Sequence, residues 1–135
     1  MNWKLAPALL AAAVMTFFGI SAALKPSALS LVGVVADSPL GSSEIRAVFG
    51  GMFIALGLAC ILTREPLVFA LVGAAWLVDF AVRLVAVFVD HVPADQALTV
   101  LTIAAVMGVA LLSGYWAGRP NGGAEREVHV TPRAS

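Results

Sequence analysis

The chain has 135 residues, of which 61% are hydrophobic and 12% are charged, and its mean hydropathy is +0.97. An average soluble domain is about 25% charged, and a short chain exposes much of its surface, so this composition excludes an ordinary water-soluble globular domain. The eight basic and eight acidic residues cancel, which argues against a nucleic-acid-binding protein. The composition predicts a polytopic membrane protein surrounded by the lipid bilayer.

Four apolar stretches follow one another, each close to the roughly 20 residues that span a hydrocarbon core. They cover residues 5–24, 45–62, 66–89 and 96–116. The first predicts a retained helix, because it is longer than the apolar core of a signal peptide and three further spans follow. We therefore predict an all-α protein. It comprises an antiparallel bundle of four transmembrane helices within residues 1–117, and a flexible cytoplasmic tail over residues 118–135.

The first connection, residues 25–43, is the longest. Its apolar patch over residues 29–35 is too short to span, so we expect it to lie in the interface or to fold against the helix ends. A functional lid is the alternative. At the end of this connection, Ser42 and Ser43 are predicted to cap the second helix. Glu44 then lies in the first turn, where the helix dipole favours an anion.

Basic residues near the helix ends predict the orientation. Four spans place Lys4, Arg64, Arg119, Arg126 and Arg133 on one side. The other side has Lys25 and Arg46 together with several acidic groups. Because basic residues favour the cytoplasm, both termini are predicted to be cytoplasmic. Trp3, Tyr115 and Trp116 are predicted aromatic anchors at that interface.

Small residues recur at spacings that let neighbouring helices approach closely. The predicted packing positions are Gly50 and Gly57 in the second helix, and Gly108 and Gly114 in the fourth. No hydrophobic effect drives helices together within lipid. We therefore interpret these glycines as bundle packing positions rather than as binding sites.

The third predicted helix breaks the apolar pattern, because Asp79 lies near its middle and Arg83 follows one turn later. A lone charge at the bilayer centre costs roughly 2.5–3.5 kcal/mol, so these side chains should pair and face the bundle interior. Antiparallel packing of the second and third helices should bring further charged groups to the same level. The predicted polar cluster, in the outer half of the membrane, comprises Glu44, Arg46, Asp79, Arg83 and Asp90, with Trp76 on the same helix face.

Two interpretations of this cluster stay open. It is either an ion-pair network that fixes the helix register, or a site that binds or moves a small amphiphilic or anionic ligand. A third hypothesis makes the chain an accessory or assembly subunit. Such a subunit would dock on a membrane-protein partner, or on further copies of itself, through its glycine-lined faces.

The sequence offers little support for an enzyme. Cys60 has no CxxC partner, and neither His91 nor His129 stands at a metal-ligand spacing from it. No phosphate-binding loop is visible either. We predict no metal and no cofactor, and enzymatic activity is left open but disfavoured.

The most distinctive segment is EIRAVFGG, residues 44–51. Together with Gly57, Arg64 and a charged third helix, it resembles a bacterial membrane family catalogued as domain of unknown function 4345. The resemblance implies a single-domain, four-helix protein of the bacterial inner membrane and implies no activity. It singles out Glu44, Arg46, Gly50 and Gly51, so Gly51 joins the predicted packing positions. Val82 stands where the family leads us to expect a glycine.

Overall fold

A computed structural model describes residues 3–119. A 3-10 turn at Trp3–Leu5 precedes four long helices, Ala6–Leu24, Pro39–Thr63, Pro66–Val89 and Ala94–Gly118, and no strand occurs within this part of the chain. All four helical regions are long and apolar enough to cross a bilayer. The predicted all-α class and the number of such helices are confirmed. Most of the predicted tail, from Pro120 onward, lies outside the described residues, whereas Gly118 ends the fourth helix.

The second helix begins earlier than predicted, at Pro39. The Ser38 hydroxyl accepts a hydrogen bond of 3.0 Å from the backbone N–H three residues later. Proline supplies the backbone angle that the first helical turn needs. Ser42 and Ser43 lie inside the helix, so the predicted caps are wrong. Glu44 correspondingly lies beyond the first turn.

The second helix changes its winding along its length. It is α-helical over Pro39–Glu44 and Phe53–Thr63, whereas Ile45–Met52 forms a π-helix. The π segment contains all of EIRAVFGG except Glu44. Such wider turns are rare and occur frequently at functional sites.

The first and second helices pack through small residues. A Cβ atom on Gly50 would lie 3.0 Å from the Ala23 Cα, and one on Gly57 would lie 2.8 Å from the Ala12 carbonyl oxygen. A Cβ atom on Gly19 would also lie within 3.0 Å of the second-helix backbone. Residues near the end of the first helix thus meet residues near the start of the second, and earlier residues of the first helix meet later residues of the second. The two helices run in opposite directions along this contact.

The third and fourth helices form the second closely packed pair in the described structure. A Cβ atom on Gly73 would lie 2.9 Å from the Leu112 backbone nitrogen, and one on Gly114 would lie 2.7 Å from the Phe69 ring. Gly108 lies against Gly73 in the same contact. The second and third helices, by contrast, meet only sparsely. This arrangement leaves space between the two helix pairs.

Gly51 departs from its predicted packing role. A Cβ atom there would meet no atom within 4 Å, whereas Gly50 faces the first helix. Successive residues of a helix point in different directions, and Gly51 points to the exposed side. Cys60, by comparison, is fully buried in the core with Ala12 and Phe69.

The long first connection folds against the helix ends, which confirms one of its two predicted placements. Pro26–Val32 forms a 3-10 helix that ends at Gly33, where φ is +80° and glycine is favoured. Leu29 is 1% exposed and clusters with Ala22 and Ile45. The connection is thereby packed against the first and second helices.

Candidate ligand-binding site

Asp79 and Arg83 form the one ion pair found within residues 3–119. The Arg83 Nε–H donates to the Asp79 Oδ2 at 2.7 Å. The Arg83 side chain is 35% exposed and the Asp79 side chain 39% exposed. Within the described residues, the two Nη nitrogens of Arg83 and the Oδ1 of Asp79 have no hydrogen-bond partner. The pair therefore retains several donors and an acceptor for a further molecule.

Trp76 lies one turn before Asp79 and joins three helices. Its indole Nε1–H points at the Met15 Sδ of the first helix at 3.3 Å. Its ring lies 5.5 Å from the Phe53 ring of the second helix, measured between centroids. The Phe53 ring in turn contacts Phe49 edge-on at 5.7 Å. This aromatic row bridges the space between the two helix pairs.

Arg46 does not join the predicted cluster. Its guanidinium donates instead to the carbonyl oxygens of Ala23 and Leu24, which end the first helix. Terminal carbonyls lack partners within their own helix and carry partial negative charge, so an arginine satisfies them well. The physical reason for the misprediction is the packing, because the second helix lies on the first helix rather than on the third.

Glu44 and Asp90 are also separate from the Asp79–Arg83 pair. Both are exposed, and neither has an ion-pair partner in the part of the chain that the structure describes. The backbone N–H of Asp90 donates to the Ala86 carbonyl at 2.8 Å and ends the third helix. Of the six residues predicted to form the cluster, the structure brings together only Asp79, Arg83 and Trp76.

These three residues line a cavity of about 370 Å³ between the two helix pairs. The volume falls in the range of small-molecule sites, roughly 300–1,000 Å³. All four helices contribute to the walls, and Leu29 and Val32 of the first connection also line the cavity. Asp79 and Arg83 are the only charged residues in this lining. The cavity is thus an apolar chamber with a single ion pair in its wall.

Several lining residues escaped the sequence analysis, among them Phe49, Met52 and Phe53 of the second helix. Their apolar character is common to all four long helices, so no local signal separates them from side chains that face outward. Within the described residues, no group of three or more histidine, cysteine, aspartate or glutamate side chains is placed to hold a metal ion.

Comparisons with protein-family models, with curated proteins and with solved structures give no match. The resemblance of EIRAVFGG to a bacterial membrane family stays a prediction. The functional argument therefore depends on the cavity and on its ion pair.

Proposed function

We propose that the chain is a multi-pass protein of the bacterial inner membrane that binds a small amphiphilic molecule in the cavity. The observation that carries this proposal is an apolar chamber whose only charged wall groups, Asp79 and Arg83, keep free hydrogen-bonding atoms. An alkyl chain in the chamber would gain contact with the apolar walls. A polar end group would reach the ion pair.

Membrane insertion is supported by what the helices leave uncovered. On the third helix, side chains such as Leu67, Leu71, Val78 and Val85 are each 60–64% exposed. Large contiguous apolar surfaces are rare on soluble monomers, and the exposed apolar residues here occur on all four helices. In the proposed arrangement, an antiparallel four-helix bundle, acyl chains of the bilayer cover these surfaces.

The proposed orientation places both termini in the cytoplasm. Asp37 and Arg64 are both exposed and lie in the connections before and after the second helix. In a Cys60→Ala background, a cysteine at Asp37 should react with a membrane-impermeant maleimide added to intact cells. One at Arg64 should react only after the membrane is opened. The reverse pattern would overturn the orientation, and reaction of both positions from outside would overturn the four-span topology.

Occupation of the chamber can be measured through Trp76, because bromine atoms on an alkyl chain quench a nearby indole. The exposed indoles of Trp3 and Trp116 are first removed as Trp3→Phe and Trp116→Phe. In dodecyl maltoside micelles, a monoacylglycerol brominated along its chain should quench Trp76 saturably at low mole fraction. Saturation is expected because a site of fixed capacity fills.

The matched control moves the indole to the outer surface. Adding Trp76→Phe and Leu71→Trp leaves one tryptophan where the side chain is 63% exposed in the native chain. Quenching there should rise in proportion to the mole fraction, as expected for contact with bulk detergent and lipid. If Trp76 behaves in the same proportional way, the chamber is not a binding site.

A second candidate function, an accessory subunit, is favoured by one face of the second helix. Gly51, Leu58 and Leu62 lie close together around the helix at about 100° per residue, and all three are exposed. The open space at Gly51 would let a partner helix approach closely. Proportional quenching at Trp76, together with a stoichiometric membrane partner after gentle extraction, would favour this function over ligand binding.

A further inference from the structure

A second cavity, of about 610 Å³, adjoins the first at Arg83. Arg83, Val32 and Val100 line both cavities. The second cavity lies between the first connection and the start of the fourth helix, and its lining is more polar than that of the first cavity. Its polar lining residues include Ser30, Asp95, Gln96 and Thr99. The mainly apolar first cavity and the more polar second cavity, here called the apolar and the polar chamber, therefore meet at a single guanidinium.

The charges around this junction are unequal. Arg83 is paired with Asp79 through Nε only, so its two Nη nitrogens are free to donate within the described structure. Asp95 lines the polar chamber, is exposed, and has no ion-pair partner among residues 3–119. Two carboxylates thus accompany one guanidinium. A purely anionic group meets an excess of negative charge here, and a purely cationic group meets the guanidinium.

On the basis of the proposed function, we infer that the ligand is a zwitterionic single-chain amphiphile. Its alkyl chain lies in the apolar chamber beside Trp76. Its anionic group, adjacent to the chain, accepts hydrogen bonds from the Arg83 Nη atoms, since guanidinium groups bind phosphate and carboxylate through two parallel bonds. Its distal cationic group lies in the polar chamber near Asp95. A head group of the phosphocholine type has this order of charges.

The test uses displacement of the brominated monoacylglycerol from the Trp76-only protein. Three competitors share one alkyl chain and differ in charge: dodecylphosphocholine, dodecyl phosphate and dodecyltrimethylammonium. Dodecylphosphocholine should displace the probe at a mole fraction about tenfold lower than either of the others, because each of the others lacks one of the two charged contacts, the phosphate with Arg83 or the ammonium with Asp95. Free phosphocholine, without a chain, should not displace the probe, which separates an amphiphile site from a site for a soluble phosphate ester.

Two variants identify the residues that produce the preference for dodecylphosphocholine. Arg83→Lys keeps the positive charge beside Asp79 but removes the planar pair of donors, so it should weaken dodecylphosphocholine about tenfold. Asp95→Asn should remove the advantage of dodecylphosphocholine over dodecyl phosphate. Asp37→Asn makes the same charge change at an exposed residue that lines neither cavity, and it should leave the order unchanged.

The outcomes separate this inference from the proposed function. If the probe never quenches Trp76 saturably, the binding function itself fails. If the probe binds but the competitors displace it equally, or dodecyl phosphate is strongest, the chamber binds amphiphiles and the zwitterionic assignment is wrong. Displacement by free phosphocholine would also overturn it. An unchanged order in Asp95→Asn would remove Asp95 from the head-group site.

Discussion

A Gly57→Ala substitution is expected to lower the free energy of unfolding by about 1–3 kcal/mol, the usual range for overpacking a tight contact. The added Cβ atom would lie 2.8 Å from the Ala12 carbonyl oxygen and would overlap the Thr16 hydroxyl. The Ala12 contact is backbone, and the Thr16 hydroxyl is held by a 2.9 Å hydrogen bond to the same Ala12 carbonyl. Neither can turn away at little cost, so the first and second helices must separate.

The matched control is Gly51→Ala in the same helix. Because its Cβ atom would meet nothing within 4 Å, only the intrinsic preference for alanine over glycine remains. That preference should stabilise the helix by up to about 1 kcal/mol. The two substitutions are therefore expected to change the free energy of unfolding in opposite directions, although both replace glycine by alanine.

The measurement is reversible unfolding in mixed micelles of dodecyl maltoside and sodium dodecyl sulfate, followed by far-ultraviolet circular dichroism. Two stabilising or two neutral substitutions would contradict the packing of the first helix on the second. A destabilising Gly51→Ala would indicate that this exposed face is covered by a partner in the folded state, which is the arrangement that the accessory-subunit hypothesis requires.

The four long apolar helices could be predicted because hydropathy and helix punctuation are local properties. The third helix, Pro66–Val89, matches its prediction residue for residue, since Pro66 fixes its start and charged residues flank it. The ion pair between Asp79 and Arg83 could also be predicted, because residues four apart on a helix are neighbours whatever the tertiary fold.

The composition of the site could not be predicted, because it depends on which helices touch. Adjacency in sequence suggested that the second and third helices would share their charges, whereas the structure packs the second helix on the first. Gly50 and Gly57 allow that contact, and small residues of the first helix receive it. Arg46 consequently meets helix-end carbonyls instead of carboxylates. A single sequence does not show which helix faces pack together when the helices are far apart along the chain.

The expected effects of breaking the Asp79–Arg83 pair follow from its place in the proposed bundle. Asp79→Asn should lower the free energy of unfolding by about 2–3 kcal/mol, because it leaves Arg83 as a lone cation near the middle of a membrane span. Combining it with Arg83→Gln should restore part of this loss, because no unpaired charge then remains. The double variant is thus expected to be more stable than the single variant.

The same unfolding measurement checks this order, with Asp37→Asn as the control for loss of an exposed carboxylate. If the pair were in water, its removal would cost at most about 1 kcal/mol, and the second substitution would restore nothing. That result would contradict a membrane-embedded pair. If the double variant folds and still prefers dodecylphosphocholine, the ion pair has no role in ligand binding. Stability and head-group preference therefore report on two different roles of Arg83, one towards Asp79 and one towards the ligand.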